Sequence, residues 1–335
     1  MRRVRRAGRQ FWFQPESTCG LGLFRIAFGL IAFAWAISLF PDLDAFFSTR
    51  GIEPESVDAS WGVLGHFDSG GALTAVYVAL LASALCVLLG YRTRLASVVL
   101  FAAIFSFVER APSVFNSGDG LLRNFSFFLM FAPAGAALSI DRWKTARDGF
   151  WEFPARAPWA LRLIQVQVSL VYLAAAWSKL YGPAGFGDTA WTNGTALSYV
   201  LRLEDLERFG LPAMLAASIT LSTVASYLTI AVELMIGVLV WNRAARPMVL
   251  ALGVGLHLSI DLTLRIGFFS ALMLASYITF LSPAAARGAI LLLRDRLGRS
   301  TSRFPRRACA RGAPLARPTS SASAPTRAHP RRPPP

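Results

Sequence analysis

One predicted helix carries polar side chains at intervals that place them along a single face. Gln165, Ser169, Tyr172, Ala176 and Lys179 follow one another at spacings of four, three, four and three residues, and such spacings share a face of an α-helix. This polar seam ends in a lysine and includes a tyrosine, and both groups can exchange protons. We therefore predict Lys179 as a general base and Tyr172 as a second catalytic residue. The alternative is an interfacial lysine that extends to the lipid headgroups.

Lysine is otherwise almost absent from the chain. Of 34 Lys and Arg residues, only Lys144 and Lys179 are lysines. A buried lysine can lose its proton near neutral pH, whereas an arginine stays charged. The exception at position 179 therefore favours a chemical role, although a codon bias toward arginine would also make lysine rare.

A second row of ionisable residues lies further along the chain. His257, Asp261 and Arg265 occupy positions i, i+4 and i+8, which aligns them on one helix face. We predict them as substrate-binding residues that could also relay protons, and the alternative is a set of ion pairs between helices. No His or Cys cluster has the spacing of metal ligands, so the sequence predicts no metal site.

The segment NSGDGLLRN (116–124) brings four polar residues to the start of a predicted helix. They are Asn116, Asp119, Arg123 and Asn124. We predict that they bind the polar part of a substrate. The alternative for Asp119 is a cap of the helix N-terminus.

Three further charged residues lie in or near apolar segments. Arg25 and Arg123 lie within about two turns of a segment end, so their guanidinium groups are expected to reach the membrane surface. Glu233 lies deeper in its segment, and we expect it to pair with an arginine.

The composition shows which elements must position these residues. Hydrophobic residues make up 54% of the chain and charged residues 16%, against roughly 25% charged in a soluble globular protein. This excludes a cytosolic enzyme and a disordered protein. Eight segments have most of the roughly 20 apolar residues that a membrane helix needs. They are 20–40, 72–89, 95–108, 121–138, 160–180, 213–241, 247–262 and 266–282. The sequence therefore predicts an all-α polytopic transmembrane helix bundle of about eight spans.

The distribution of charge predicts that both termini are cytoplasmic. With that orientation, cytoplasmic segments contain 26 of the 34 basic residues and 5 of the 19 acidic ones, as the positive-inside rule requires. The net charge of +15 then reflects topology and predicts no nucleic-acid partner. We expect an integral protein of a bacterial plasma membrane. The long connections 41–71, 109–120 and 181–212 would lie outside, so any site is expected to face outward.

Three regions follow from these segments. Residues 1–19 form a basic cytoplasmic N-terminus, 20–283 the transmembrane domain and 284–335 a basic cytoplasmic tail. After a short possible helix at 286–299, the tail is rich in Arg, Pro, Ser and Ala, and we predict that it is disordered. Anionic lipid of the inner leaflet is its expected partner.

The order of several motifs resembles the HTTM (horizontally transferred transmembrane) domain family, whose best-known member is the vitamin K-dependent γ-carboxylase. The resemblance covers roughly residues 17–285. The matching motifs are LGLFRIAFGLIAFAWAISLFPDLDAFFSTRGI (21–52), LGYRTRLAS (89–97), RAPSVFNSGDGLLRNF (110–125), IQVQVSLVYLAAAWSKL (164–180), WTNGTALSYVL (191–201) and HLSIDLTLRIGFFSALMLASYITFLSP (257–283).

The resemblance implies a γ-carboxylase-like membrane protein. In the carboxylase a lysine deprotonates vitamin K hydroquinone, oxygen converts the quinol to a strongly basic alkoxide, and a glutamate γ-carbon loses a proton before CO₂ adds. Lys179 lies where that lysine is expected, so a quinol is the cofactor that the resemblance implies. The carboxylase also has a histidine in the stretch that reads NSGDGLLRN here, and a large extracytoplasmic C-terminal domain where this chain has its basic tail.

Three functions remain open from the sequence. The first is binding of a quinol or a lipid headgroup at an outward-facing site, with Lys179 as base. The second is a non-catalytic accessory role in maturation or export of a secreted peptide, because bacterial relatives include a component thought to help mature a peptide toxin. The third is a transporter, which the lack of an evident internal repeat disfavours.

Overall fold

The computed structural model describes residues 2–52, 62–66, 70–206, 208–209 and 218–301. The described part is predominantly helical, which confirms the all-α prediction. The helices are α1 (Arg2–Phe13), α2 (Cys19–Ser38), α3 (Leu43–Phe47), α4 (Gly70–Leu89), α5 (Thr93–Arg110), α6 (Ser117–Phe131), α7 (Ile140–Thr145), α8 (Trp159–Leu180), α9 (Ala196–Val200), α10 (Ile219–Leu239), α11 (Arg246–Thr263), α12 (Phe269–Tyr277) and α13 (Pro283–Thr301).

Two short antiparallel strand pairs connect segments outside the long helices. Strand β1 (Glu16–Ser17) pairs with β2 (Ala155–Arg156), with Glu16 opposite Arg156. Strand β3 (Tyr181–Gly182) pairs with β4 (Gly185–Phe186) directly after α8. The first pair ties the chain before α2 to the chain before α8, so the starts of these two long helices lie close together.

A helix overlaps each of the eight predicted segments. Among the described residues, four helices are individually long and apolar enough to cross a membrane: Cys19–Phe47, Gly70–Leu89, Trp159–Leu180 and Ile219–Leu239. A fifth is added if the bent pair Phe269–Phe280 and Pro283–Arg296 is one span. These helices support an integral membrane protein, whereas the count of eight spans and the side of each terminus stay predictions.

The fourth predicted segment, 121–138, differs from helix α6, which begins at Ser117 and ends at Phe131. It begins earlier because Asn116 caps its N-terminus. It ends earlier because Pro133 disfavours a helical conformation at the residue before it, and Ala132 is extended with ψ 143°. The following residues form a 3-10 turn, Ala134–Ala136.

The long helices pack around one large hydrophobic core. α2 packs against α4, α4 against α5 and α5 against α6, while α8 packs against α10, α10 against α11 and α11 against α12. α12 also contacts α6 and α2, which joins the two series of helices. Aromatic side chains fill much of the interior, and Phe24, Phe28, Phe107, Phe125 and Phe280 are fully buried.

The outer faces of the long helices remain apolar. Val78 and Leu85 of α4 and Val224, Leu228 and Val238 of α10 are exposed. In water, apolar patches of this extent would be an aggregation hazard. In a bilayer they contact the hydrocarbon chains, which is consistent with the membrane assignment.

Arg25 contradicts the prediction that its side chain reaches the membrane surface. It is 0% exposed, and its guanidinium donates hydrogen bonds to the carbonyls of Val87, Leu88 and Leu138 at 2.6, 2.7 and 2.6 Å. Val87 and Leu88 lie in the last turn of α4, where carbonyls lack the partners they have within a helix, although Val87 also accepts from the Gly90 amide at 3.2 Å. Arg25 therefore caps α4 from inside the bundle, and Gly90, at φ 68°, leaves the space: a Cβ there would lie 2.8 Å from Arg25 Nη1.

The chain forms two compact units, Met1–Leu291 and Leu292–Pro335. The first contains all the long packed helices. In the second, residues 292–301 are the end of α13, and Arg294 pairs with Asp295 at 2.7 Å. α13 covers the short helix predicted at 286–299. The predicted disordered remainder, 302–335, lies outside the described residues.

Candidate functional site

The polar seam of α8 forms one buried face of that helix. Gln165, Ser169, Tyr172 and Ala176 are all buried, which confirms the face predicted from their spacing. The polar side chains of this face form hydrogen bonds to other parts of the chain. Gln165 Nε2 donates to the Thr279 carbonyl at 2.6 Å, and Ser169 accepts from the indole of Trp241. The seam therefore connects α8 to its neighbours and leads along the helix to Lys179.

Lys179 forms an ion pair with Glu233 of α10. Its Nζ lies 2.8 Å from Glu233 Oε1, and the two side chains are 15% and 9% exposed. The prediction that Glu233 pairs with an arginine is therefore wrong. The last turn of α8 brings Lys179 to the carboxylate instead.

Two further contacts hold the ammonium group of Lys179. Nζ lies 4.8 Å from the centroid of the Trp191 ring, over its face, which is a cation–π contact. It also lies 3.5 Å from the carbonyl of Ala175. Trp191 belongs to the connection after β4, and Thr189 in the same connection donates to the Lys179 carbonyl. The loop and the last turn of α8 thus fix the lysine together.

Glu233 has a second carboxylate oxygen that is free to accept a hydrogen bond. Oε2 is buried and has no hydrogen-bond partner among the described residues. The same is true of the hydroxyl groups of Ser222 and Ser226, which belong to the same helix, α10. Buried polar groups are normally hydrogen-bonded, so Glu233 Oε2 and the Ser222 hydroxyl, whose residues line the cavity described next, are suited to contact a polar ligand, whereas Ser226 does not line it.

The Lys179–Glu233 pair lies in the wall of a cavity of about 820 Å³. Trp191 and Ser222 also contribute to the wall. The remaining lining residues are mainly apolar residues of α9, α10 and α11, with a few Ser and Thr: Leu197, Val200, Leu201, Leu221, Ala225, Leu228, Thr229, Val232, Met248, Ala251, Leu252, Gly255, Leu256, Ser259, Ile260, Thr263, Leu264 and Ile266. An ion pair in an apolar cavity can orient a polar group that enters it.

The cavity opens on the outer surface of α10 and α11. Leu221 and Leu228 of α10 and Met248 and Leu252 of α11 line it and are 37 to 58% exposed. These apolar side chains form part of the surface that would face lipid. A molecule could therefore enter sideways from the hydrocarbon region of a bilayer.

A hydrogen-bonded cluster lies behind the cavity wall. Tyr172 Oη lies 2.6 Å from His257 Nε2 and also hydrogen-bonds Tyr277 Oη. His257 Nδ1 is buried without a partner among the described residues. Gly253 permits the approach of Tyr277, because a Cβ at 253 would lie 2.2 Å from the Tyr277 hydroxyl. Two predicted site residues, Tyr172 and His257, are thus brought together.

The predicted row of His257, Asp261 and Arg265 is divided in the structure. Asp261 lies at 3.5 Å from Arg208 in a half-exposed ion pair. α11 ends at Thr263, so Arg265 lies beyond the helix, and its side chain is exposed. The one-face prediction holds for His257 and Asp261 and is wrong for Arg265, because the helix ends before it.

The predicted polar group at 116–124 is a helix cap and a separate ion pair. Asn116 accepts from the Gly118 amide, while Asp119 Oδ2 accepts from the Asn116 amide and Oδ1 from the Trp35 indole. Arg123 pairs with Glu109 at 3.3 Å, and Asn124 is half-buried. None of these four residues lines the cavity beside Lys179.

Three residues of this site were not predicted: Glu233 as the partner of Lys179, Trp191 and Tyr277. Glu233 is an acidic residue within an apolar helix, which was the available signal for it. Trp191 and Tyr277 are ordinary aromatic residues of a membrane protein, and their spacing carries no signal. Within the described residues, no group of three or more His, Cys, Asp or Glu side chains is placed to hold a metal ion.

Comparison with known proteins gives one match. The family model described as HTTM domain matches residues 13–284, which is well over half of the chain and includes every residue that lines the cavity. No curated protein and no solved structure matches the chain.

Proposed function

Because the chain belongs to the HTTM domain family, whose members are membrane proteins, we propose that it binds a quinol or an amphipathic lipid in the cavity beside Lys179, with Lys179 as a base. The observation that carries the proposal is the Lys179–Glu233 ion pair in the wall of an apolar cavity. Binding of a peptide by an accessory protein and transport are the alternatives.

The shape of the cavity supports a ligand with a long apolar part. Lining residues of α11 run from Met248 to Thr263, a distance of about 22 Å along a helix axis. An isoprenoid or acyl chain of similar length fits along this face. The exposed leucines at the rim would let the chain remain partly in the bilayer while the polar end binds.

The polar groups in the wall support a ligand that carries hydroxyl groups. Glu233 Oε2 can accept a hydrogen bond, and the hydroxyl of Ser222 can donate or accept one. The ring of Trp191 offers an aromatic surface next to Lys179. A hydroquinone ring matches this set, because it presents hydroxyl groups at its edge and an aromatic face.

A proton shift within the ion pair would make Lys179 a base. Transfer of one proton from Lys179 Nζ to Glu233 Oε1, 2.8 Å away, leaves a neutral amine and a neutral carboxylic acid. Burial in an apolar cavity favours neutral over charged forms. The amine's lone pair can then accept a proton from a ligand hydroxyl, which regenerates the ammonium. A bound quinol would supply the anion that reacts with oxygen.

The location of the site is part of the proposal. Lys179 ends α8 on the side that the charge distribution assigns to the outside of the membrane, while both ends of the chain would be cytoplasmic. A bacterial plasma membrane supplies quinols with isoprenoid chains in its hydrocarbon core. The lateral opening between α10 and α11 would admit them.

The proposal is tested by measuring how a naphthoquinone with an isoprenoid tail binds the full chain in detergent. Native mass spectrometry is the measurement. Lys179→Ala and Glu233→Gln are expected to weaken binding about tenfold, the loss of one charged hydrogen bond. Lys144→Ala is the matched control, because Lys144 is the other lysine and packs on Tyr91. It is expected to bind as the unaltered chain does.

Different results lead to different conclusions. The proposal is wrong if neither the tailed naphthoquinone nor a phospholipid binds. It is also wrong if Lys179→Ala binds each of them as tightly as the unaltered chain does. If the phospholipid depends on Lys179 and the naphthoquinone does not, the ligand is a lipid. Loss of binding in the Lys144→Ala control would point to unfolding and would be checked by size-exclusion chromatography.

A further inference from the structure

The N-terminal helix α1 is attached to the bundle at its C-terminal end. Phe11 packs on Trp241, with ring centroids 5.6 Å apart, and the guanidinium of Arg162 lies 5.1 Å from the centre of the Phe11 ring. Arg162 also forms an ion pair with Glu16, in β1. These contacts fix the end of α1 beside the start of α8 and the end of α10.

Three arginines meet at this junction. Arg162 stacks on Phe11, Arg246 donates to the carbonyl of Phe280, whose ring packs on Trp241, and Arg243 lies three residues before Arg246. Burial lowers the pKa of Arg246, and the nearby charges of Arg243 and Arg162 add to this effect while Glu16 opposes it. We call Arg162, Arg243 and Arg246 the arginine cluster. Glu16 is the acid among these four groups, and it is already paired with Arg162, so the cluster keeps a net positive charge.

Arg243 is the most available member of the cluster. Its side chain is exposed, and within the described residues it forms no ion pair. Arg246, by contrast, donates to the carbonyls of Val240 and Phe280. Arg5, Arg6 and Arg9 of α1 are also exposed and add positive charge to the N-terminal helix.

An apolar hollow of about 360 Å³ lies next to the cluster. Its lining residues are Phe11, Val166, Ser169, Leu170 and Trp241. Leu170 is 54% exposed, so the hollow opens on the outer face of α8. The Ser169 hydroxyl accepts from the Trp241 indole at 2.9 Å, so the polar atoms of both residues are already paired and the accessible surface is apolar.

We propose that this junction binds one anionic phospholipid of the surrounding bilayer, with its phosphate on the arginine cluster and part of one acyl chain in the hollow. Phe11 and Trp241 connect the two parts of the site. Both line the hollow, while the Phe11 ring contacts Arg162 and Trp241 lies two residues before Arg243. From Arg162 to Leu170 the distance along α8 is about 12 Å, enough for the upper part of an acyl chain. This site is separate from the cavity beside Lys179, and its occupancy does not depend on the function proposed there.

The charge and the apolar surface together select this ligand. A zwitterionic lipid fits the hollow equally well but gains less from the excess positive charge. A soluble phosphate ester gains from the arginines but lacks the acyl chain. An aromatic side chain such as Trp241 is common at the interface between headgroups and hydrocarbon, which is where such a lipid has its ester groups.

Native mass spectrometry of the full chain in detergent tests the proposal. The probes are phosphatidylglycerol, phosphatidylcholine with the same acyl chains, and glycerol 3-phosphate. We expect phosphatidylglycerol to bind best. Arg243→Gln is expected to weaken it about fivefold, the contribution of one arginine near a charged headgroup. Val166→Trp, which fills the hollow, is expected to lower the affinity for both phospholipids.

Arg147→Gln is the control, because Arg147 is exposed and stacks on Trp143, away from the hollow. It is expected to leave phosphatidylglycerol binding unchanged. Equal binding of the two phospholipids, or an unchanged affinity in Arg243→Gln, would overturn the proposal. Binding of glycerol 3-phosphate as tightly as phosphatidylglycerol would also overturn it, because the hollow would then contribute nothing.

Discussion

The carboxylate of Glu233 accepts a hydrogen bond from the ammonium of Lys179 at 2.8 Å, and this ion pair joins α8 to α10 across 54 residues of sequence. Both side chains are largely buried. The pair thus has two consequences, since it holds two long helices together and presents two proton-exchanging groups to one cavity. The first prediction separates these roles.

Removal of either member of the pair is expected to cost more than removal of both. Lys179→Met leaves a buried carboxylate without its partner and should lower the free energy of unfolding by about 3 kcal/mol, as for other broken buried pairs. Lys179→Met combined with Glu233→Met should recover most of this loss. Thermal unfolding in detergent measures Lys179→Met, Glu233→Met and the double variant, and single losses that simply add in the double variant would contradict the prediction.

Substitution of Arg25 is expected to destabilise the bundle strongly. Arg25→Met removes the hydrogen bonds to the carbonyls of Val87, Leu88 and Leu138, of which, among the described residues, Val87 alone keeps a backbone donor, the Gly90 amide. Each lost charged hydrogen bond costs about 1.5–3 kcal/mol. Arg123→Met is the control, because its ion pair with Glu109 is a third exposed and should contribute about 1 kcal/mol or less. The stability of each variant is measured as the fraction of protein that stays monodisperse after heating. Equal losses in the two variants would refute the inferred capping role of Arg25.

Replacing two glycines of α11 by alanine is expected to change stability in opposite directions. Gly253→Ala places a methyl group 2.2 Å from the Tyr277 hydroxyl, so it should push Tyr277 away from Tyr172 and lower the melting temperature. Gly255→Ala meets no atom within 4 Å and should raise stability by about 0.5–1 kcal/mol, the usual gain for alanine in a helix. If Gly253→Ala were as stable as Gly255→Ala, the close packing of Tyr277 on α11 would be wrong.

Asp141 is expected to make stability depend on pH in acid. Its Oδ1 accepts from the Arg92 amide, and its Oδ2 accepts from the amide and hydroxyl of Thr93, at the start of α5. Burial acts to raise the pKa of Asp141, but the hydrogen bonds from Thr93 and Arg92 and the charge of Lys144 hold it below the ordinary value of 3.8.

The sign of the pH effect follows from this lowered pKa. The stabilisation is fully present above pH 3.8, the ordinary value, and is lost as the pH falls through the lower pKa of the folded state. Asp141→Asn should therefore be less stable than the unaltered chain at neutral pH, with the difference shrinking in acid. Asp148→Asn, at an exposed position, is the control. Melting curves from pH 7 to about pH 3 measure the effect, and a constant difference would disprove it.

The helices and the buried face of α8 could be predicted because each depends on spacing within one segment. Apolar length identifies a membrane helix, and intervals of three and four residues bring Gln165, Ser169 and Tyr172 to one side. The caps at Asn116 and Asp119 are likewise local, and the alternative stated for Asp119 was the one that the structure bears out.

The partners of the polar groups could not be predicted because they depend on how distant helices pack. Tyr172 meets His257 and Tyr277 across 85 and 105 residues of sequence, and no periodicity within α8 contains that information. Arg25 shows the same difficulty. Its position near a helix end favoured a path to the surface, but the carbonyls that accept its hydrogen bonds lie in the interior.

The burial of Arg25 also constrains how the chain is assembled during synthesis. Ribosomes complete α2 before the residues that accept its guanidinium, which follow 62, 63 and 113 positions later. A charged group in a newly inserted helix is costly in hydrocarbon, so α2 should remain next to the insertion machinery, or in contact with water, until α4 has been made. The first apolar helix to emerge, α2, is therefore dependent on later ones, and truncation before Leu138 should leave it poorly integrated.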